Sequence, residues 1–150
     1  MSLQTGSRAP EIRSGDFRLS NLRGRTVVIY FFPKADTPGC TKESCEFRDA
    51  SKRFAKLNAE IVGVSPDNEK AQQRFAEKYG LPFTLVPDPD HSIAEAYGVW
   101  KEKSMYGRKY MGIERSTFVV DPDGKIAKIF EKVKVTDHVA KVLESLAEQR

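Results

Sequence analysis

The chain contains little of several features on which common classes of protein depend. Its 150 residues include only two cysteines, two histidines and one tryptophan. Two cysteines are too few for a scaffold held together by disulfides, and a chain of this length can bury an ordinary hydrophobic core without them. We therefore expect one compact domain that covers residues 1–150.

Long apolar runs are also absent. No stretch approaches the roughly 18 apolar residues of a membrane span, and the N-terminal sequence MSLQTGSRAPEIRSGD lacks the apolar segment of a signal peptide. These absences predict a cytoplasmic protein. Because thiols are kept reduced in that compartment, a pair of cysteines there is more often catalytic or metal-binding than structural.

No strong charge of one sign distinguishes the chain. The 25 lysines and arginines are scattered among 21 acidic residues, which leaves a net charge of +4. Nucleic-acid binding usually shows as clustered basic residues, so the sequence does not favour it.

The first half of the chain alternates between strand and helix patterns. RTVVIYFF at 25–32 is a continuous apolar, β-branched run, typical of a strand buried on both faces, and AEIVGVSPD predicts a second buried strand from about 60 to 65. Between them an apolar stripe predicts one helix of about five turns that begins after Thr37. The sequence NEKAQQRFAEKYG predicts a second helix that ends at Gly80. This order is typical of a βαβ unit.

The second half has a different pattern. FTLVPDPD predicts a short strand, SIAEAYG a brief helix, and STFVVDPDGKIAKIFE two strands joined at Asp-Pro-Asp-Gly. A closing amphipathic helix is expected to follow Thr136, which would be its N-cap residue. A parallel start and an antiparallel finish predict the α/β thioredoxin-like fold, a mixed central sheet with helices on both faces.

Residues 100–115 show no regular period and are predicted to form a long surface loop. The segment is rich in polar residues and tyrosines. Its Trp100, Tyr106 and Tyr110 are expected to pack against the domain, with a surface for a partner protein as the alternative.

The two cysteines lie five residues apart, in TPGCTKESC at 37–45. With Thr37 as N-cap and Pro38 at the first helical position, Cys40 falls in the first turn. Unpaired backbone N–H groups and the helix dipole stabilise a thiolate there, so Cys40 is the better candidate nucleophile. Even a large decrease in the pKa of a thiol raises its thiolate fraction at neutral pH only about thirty-fold. Donors close to the sulfur are therefore needed as well.

The position of Cys45 raises a geometric problem. Residues five apart on a helix have Cα atoms about 8.6 Å apart, and a disulfide needs less than about 7 Å. Either the two cysteines never pair, or pairing unwinds the first turns. Oxidation of Cys40 by peroxide to sulfenic acid, followed by condensation with Cys45, is a chemistry that suits the second case.

Simpler interpretations remain open for these residues. Either cysteine could be buried and inert. A zinc site of Cys40, Cys45, His91 and His138 is disfavoured, because the two cysteines have an unusual spacing and neither histidine is near another ligand in sequence. His91 is expected to be a turn residue and His138 a solvated helix residue.

The chain resembles the peroxiredoxins, whose active-site pattern P-x3-[TS]-x2-C matches Pro33, Thr37 and Cys40. YFFPKADTPGCTKESCEFRD resembles the Q-type subgroup, also called bacterioferritin comigratory proteins, which has a second cysteine five residues after the first. GIERSTFVVDPDGKI resembles a later segment of the family, and its arginine is Arg115. The resemblance extends over nearly the whole chain. The region between Pro10 and Arg25 is shorter than the family's usual first hairpin.

The resemblance implies a thiol-dependent peroxidase that reduces hydrogen peroxide and organic hydroperoxides. Cys40 would attack the O–O bond, and Cys45 would resolve the sulfenic acid as an intramolecular disulfide. The family pattern further assigns a substrate contact to Thr37, shielding of the sulfur to Pro33, stabilisation of the thiolate to Arg115 and support of that arginine to Glu43.

The resemblance also implies what acts with the chain. Thioredoxin or a similar dithiol protein would reduce the disulfide, no metal, haem or flavin would be needed, and a monomer would suffice. Two alternatives come from the cysteines themselves. A thiol-disulfide oxidoreductase normally has C-x-x-C instead of C-x4-C, and a non-enzymatic redox sensor would differ from an enzyme in showing no turnover.

Overall fold

A computed structural model describes residues 3–148 of the chain. Its strands are β1 (Arg13–Ser14), β2 (Phe17–Arg18), β3 (Thr26–Phe31), β4 (Ala59–Ser65), β5 (Thr84–Pro87), β6 (Trp100–Met105), β7 (Arg108–Ile113), β8 (Ser116–Val120) and β9 (Ile126–Phe130). Its α-helices are α1 (Pro38–Asp49), α2 (Ser51–Lys56), α3 (Glu69–Tyr79), α4 (Ser92–Ala96) and α5 (His138–Glu148).

The centre of the molecule is a mixed sheet of five strands in the order β5-β4-β3-β8-β9. Strand β4 runs parallel to both of its neighbours, whereas β8 is antiparallel to β3 and β9. The sheet confirms the predicted combination of a parallel start and an antiparallel finish.

Both faces of this sheet are covered, as its apolar strands predicted. Along β3, alternate residues enter different clusters of buried side chains. Val28 and Tyr30 pack with residues of α1, α2, α3 and α5, whereas Ile29 and Phe31 pack with α4 and the N-terminal segment. Because neither face meets water, the strand carries no polar alternation.

The predicted loop at 100–115 is wrong. Residues 100–113 form a regular antiparallel hairpin, β6 and β7, with Tyr106 and Gly107 at positive φ in its two-residue turn. The difference between the predicted loop and the observed hairpin has a physical reason. Most residues of both strands face solvent, so the apolar alternation that signals a half-buried strand is missing.

The expected packing of the aromatic residues in this segment holds for one of three. Trp100 stacks on the ring of His91, with ring centroids 3.7 Å apart. Tyr106 is 97% exposed and Tyr110 is 44% exposed, so their expected packing is wrong. His91 is a turn residue as expected, since it has a φ of 63° immediately before α4.

Helix boundaries differ from the predictions in two places. The predicted five-turn helix is divided into α1 and α2 at Ala50, whose φ and ψ are −94° and 0°. Helix α5 begins at His138, so Asp137, at a φ of 61°, precedes it in place of the predicted Thr136. Gly80 ends α3 in the left-handed conformation, as predicted.

Two further features concern the surface of the molecule. The strands of the first hairpin, β1 and β2, have only two residues each, which agrees with the short segment noted between Pro10 and Arg25. Over residues 3–148, none of the helices has the length and apolar character needed to span a bilayer.

A buried hydrogen bond fixes α1 on the sheet. The hydroxyl groups of Tyr30 on β3 and Ser44 on α1 are 2.8 Å apart, and both side chains are fully buried. Burial raises the pKa of Tyr30 well above its ordinary value, so the phenol keeps its proton. This bond connects the central strand to the helix that carries both cysteines.

Loss of one hydroxyl from this pair is expected to destabilise the protein. Tyr30→Phe leaves the Ser44 hydroxyl buried without its partner, so the free energy of unfolding should fall by about 1 to 2 kcal/mol. Urea denaturation measures the change. Addition of Ser44→Ala to Tyr30→Phe should recover part of the loss, while Tyr106→Phe at the exposed hairpin tip should change nothing. An equal loss in the Tyr106→Phe protein would contradict the assignment.

Candidate active site

The loop between β3 and α1 brings the chain from the end of a central strand to the start of a helix. A hydrogen bond and an ion pair, each made by an aspartate side chain, hold this loop in place. Asp67 accepts a hydrogen bond from the backbone N–H of Ala35 at 2.7 Å, and Asp36 pairs with Lys78 of α3 at 2.9 Å. The first turn of α1 therefore starts from a fixed position.

Thr37 is the N-cap residue of α1 and Pro38 occupies its first turn, as predicted. The Thr37 hydroxyl makes no capping bond and instead donates to the carbonyl oxygen of Lys34 at 2.7 Å. Because its proton is used there, the remaining lone pairs of this oxygen can accept a hydrogen bond from a bound molecule. Pro33 lies partly buried at the start of the same loop.

Cys40 lies in the first turn of α1 and is fully buried. The Nη2 atom of Arg115 is 3.3 Å from its Sγ atom, although the two residues are 75 positions apart in the chain. The sulfur thus has a charged donor beside it in addition to the N-terminus of the helix. This is the kind of donor that the sequence argument required.

Arg115 lies between β7 and β8 and contacts two residues of α1. Its Nη1 atom is 2.6 Å from the Oε1 atom of Glu43, and its Nη2 atom faces Cys40. Its backbone carbonyl accepts a hydrogen bond from Val133. Burial opposes the charge on Arg115, but Glu43 and Cys40 outweigh that effect and raise its pKa. The guanidinium therefore remains charged.

Glu43 is fully buried, which is unusual for a glutamate. Burial raises its pKa from 4.5 to about 7, and Arg115 offsets only part of this effect. Its Oε1 atom bonds to Arg115, whereas its Oε2 atom is buried and has no hydrogen-bond partner among the described residues. Ionisation of this carboxyl therefore costs free energy in the folded protein.

The expectation of a solvated His138 is wrong. This residue is 4% exposed, its Nε2 atom is 2.8 Å from the hydroxyl of Thr117, and the same atom is 4.0 Å from the Oε2 atom of Glu43. Burial, with Arg115 and Lys141 nearby, lowers its pKa to about 4. The sequence held a signal for this placement, because His138 precedes the buried Val142 by four residues and shares its helix face.

Sequence reasoning also missed Lys103 of β6. Partial burial lowers the pKa of Lys103, and the nearby positive charge of Arg115 adds to this effect. Cys40 also interacts electrostatically with this lysine. Strand β6 thus brings a second cation towards the sulfur, which a loop of unknown path did not predict.

Cys45 lies on the same continuous helix as Cys40, is partly exposed, and both thiols are free. Helical spacing keeps their Cα atoms about 8.6 Å apart, beyond the reach of a disulfide. The site thus joins Cys40, Arg115 and Glu43, with Thr37 at the same helix end, while Cys45 remains separate. No cluster of three or more metal-ligating side chains occurs within residues 3–148.

The buried carboxyl of Glu43 predicts a specific dependence of stability on pH. Because its pKa rises from 4.5 to about 7 on folding, the native state retains a proton that the unfolded state has lost. Its contribution to stability is complete below pH 4.5 and is lost as the pH rises through 7, about 3 kcal/mol in all. Glu43→Gln should remove this contribution. Urea denaturation of both proteins from pH 4 to 8 gives the difference.

The difference between the two proteins is the quantity to follow, because His138 acts in the opposite direction. Its pKa falls from 6.5 to about 4 on folding, so its contribution is lost as the pH falls through 4. Glu77→Gln, at an exposed position of α3, is the matched control and should follow the wild-type profile. A constant difference between wild type and Glu43→Gln from pH 4.5 to 7 would contradict the placement of Glu43.

Comparison with known proteins places this site in a family. The AhpC/TSA family model matches residues 5–129. The chain is 48% identical to peroxiredoxin Bcp of Bacillus subtilis over 151 aligned positions, which cover 97% of this chain and 96% of that protein.

Solved structures give the same result. A cysteine-to-serine mutant of Xanthomonas campestris peroxiredoxin Q superposes with a TM-score of 0.89 at 38% identity, covering 99% of this chain and all of that one. The X. campestris bacterioferritin comigratory protein, whose structures concern its alkyl peroxide reduction activity, gives a TM-score of 0.88 at 38% identity, covering 97% and 99% of the two chains.

These comparisons confirm the thioredoxin-like fold and the family that the sequence pattern predicted. The structure adds that the arginine of the second matching segment lies against the cysteine of the first. The chain belongs to the AhpC/TSA family and is a peroxiredoxin of the Bcp, or Q, type: a thiol peroxidase.

Proposed function

We propose that Cys40 is the residue that attacks the hydroperoxide and that Cys45 resolves the product. The observation that carries this proposal is the contact between Arg115 and Cys40, 3.3 Å from Nη2 to Sγ, at the N-terminus of α1. A sulfur at a helix N-terminus with a cation beside it is suited to react as a thiolate. Cys45 is partly exposed, and the cation that interacts with it electrostatically is the partly exposed Arg48.

In the first step the Cys40 thiolate attacks the terminal oxygen of the hydroperoxide. The S–O bond forms as the O–O bond breaks, sulfur is oxidised to sulfenate, and the proton of the attacked oxygen passes to the other oxygen, which leaves as water or alcohol. The sulfenate then takes up a proton from solvent to become sulfenic acid. Negative charge develops on both oxygens, which the guanidinium of Arg115 can stabilise. The Thr37 oxygen would accept a hydrogen bond from the substrate hydroxyl.

In the second step Cys45 attacks the sulfenic sulfur of Cys40. The S–S bond forms, the sulfenic hydroxyl leaves, and with the proton from Cys45 it becomes water. The intact α1 keeps the residues too far apart for this reaction, so its first turns must unwind. Oxidation favours the unwinding, because a neutral sulfenic acid no longer forms the ionic contact with Arg115 that the thiolate forms.

The disulfide must then be reduced before the next cycle. A dithiol protein such as thioredoxin would supply the two electrons by thiol-disulfide exchange. Because both cysteines belong to one helix, the cycle needs no second copy of the chain, and we propose a monomer that works in the cytoplasm. Hydrogen peroxide and organic hydroperoxides are the proposed substrates, the latter supported by the alkyl peroxide reduction of the X. campestris relative.

The two cysteines are expected to fail at different steps when replaced. With peroxide, thioredoxin, its reductase and NADPH, Cys40→Ser should show no turnover. Cys45→Ser should consume one equivalent of peroxide, accumulate sulfenic acid on Cys40 and then stop, because resolution is lost. NADPH oxidation measures turnover, and mass spectrometry after trapping of the sulfenic acid identifies the oxidised residue.

The same experiment separates the alternatives. Wild type that forms the disulfide once but never turns over, with any dithiol reductant, would indicate a redox sensor. A Cys40→Ser protein that retains peroxide turnover would overturn the assignment of Cys40. A disulfide between two chains in place of one within a chain would overturn the proposed monomer cycle.

Both terminal nitrogens of Arg115, Nη1 and Nη2, are expected to contribute to the reactivity of Cys40. Arg115→Ala should slow the reaction of Cys40 with peroxide by about 100-fold, since a charged donor at the reacting centre is lost. Arg115→Lys should be intermediate, because one ammonium cannot replace a planar group that contacts Cys40 and Glu43 together. The second-order rate constant for peroxide measures both effects.

A double variant separates reactivity from stability. Arg115→Ala also leaves the buried Glu43 carboxyl without its cation, which destabilises the fold. Addition of Glu43→Gln should restore most of the stability but none of the reaction rate. Recovery of the rate together with the stability would show that Arg115 acts only through the fold.

A further inference from the structure

The residue directly before Cys40 is a glycine inside the first turn of α1. Gly39 is absent from the set of residues at positive φ in the described chain, so its backbone conformation is one that any residue can adopt. A glycine in a helix costs roughly 1 kcal/mol relative to alanine. Conformation therefore gives no reason for glycine at this position, and another constraint must select it.

The surroundings of Gly39 supply that constraint. A Cβ atom placed on this residue would lie 3.2 Å from the Nη2 atom of Arg115 and 4.0 Å from its Cζ atom. The first distance is shorter than nine in ten Cβ contacts in proteins, so the guanidinium would have to move by a few tenths of an ångström. The same Nη2 atom is the one that faces the sulfur of Cys40. The guanidinium thus lies directly against the bare backbone of the glycine.

Arg115 has little freedom to move away from a side chain at this position. Its Nη1 atom is held 2.6 Å from Oε1 of Glu43, which is itself fully buried. Its backbone is held as well, since its carbonyl accepts from Val133 and the adjacent Glu114 donates to Val99. Displacement of the guanidinium would therefore disturb its contact with Cys40.

We propose that Gly39 is a positioning residue for the peroxide reaction. The absence of a side chain at this position allows the Arg115 guanidinium to reach the sulfur while it remains paired with Glu43. In this role Gly39 acts through Arg115. This inference rests on the proposed roles of Cys40 and Arg115.

This role has a signature that a structural role does not share. A glycine required by the fold would destabilise the protein when replaced. Here Gly39→Ala should keep or raise the melting temperature, because alanine favours the helix. The same change should lower the rate of reaction with peroxide. Stability and reactivity are thus expected to move in opposite directions.

The reaction step is best measured in a Cys45→Ser background, where oxidation stops at the sulfenic acid of Cys40. Gly39→Ala should slow sulfenic acid formation by hydrogen peroxide about ten-fold, the effect of losing a hydrogen bond to a charged group. Gln73→Ala, at an exposed position of α3, is the control, since it also favours the helix but should leave the rate unchanged.

A double-mutant cycle tests whether the effect passes through Arg115. In an Arg115→Ala background the added methyl group meets no guanidinium, so Gly39→Ala should change the rate by less than about two-fold. An equal loss in both backgrounds, or an unchanged rate in the first, would overturn the inference. If Cys45→Ser itself forms no sulfenic acid on Cys40, the proposed function fails as well, so the two failures can be distinguished.

Discussion

The pair formed by Arg115 and Glu43 is the interaction on which the rest of the site depends. The arginine enters from between two strands and the glutamate from α1, and their atoms lie 2.6 Å apart in the protein interior. Neither group would be stable there alone, because a buried charge without a partner is costly. Once paired, they fix the direction of the second guanidinium nitrogen, which then lies beside Cys40.

This arrangement places two opposing demands on one helix turn. The thiolate needs a rigid turn, with its donors held in place before peroxide arrives. The proposed disulfide would need the same turn to open afterwards, because an intact α1 separates the two cysteines. In the proposed cycle, an ionic contact that disappears when sulfur is oxidised would satisfy both demands, since the turn would be held most firmly in the reduced state.

The sequence predicted the parts of this structure that local chemistry determines. The N-cap Thr37 and the first-turn position of Cys40 follow from residues within a few positions of each other, and the strand at 25–32 follows from its continuous apolar run. Arg115 is different, because no local pattern joins it to a cysteine 75 residues away, and only the family resemblance supplied that contact. The burial of His138 was not predicted, because its position beside apolar residues of the same helix was not considered. The β6–β7 hairpin was not predicted either, because its exposed strands carry no apolar alternation.

The buried hydrogen bond between Tyr30 and Ser44 has a consequence for the redox cycle. Unwinding of the turns before this bond exposes Cys40 and Glu43, and separation of α1 from the sheet beyond it would expose Tyr30 and Ser44 in addition. Unwinding is therefore cheapest when it stops short of Ser44. Cys45 would then stay in place on the part of α1 that remains folded, and Cys40 would move towards it. The oxidised sulfur of Cys40 would reach a thiol whose position is fixed.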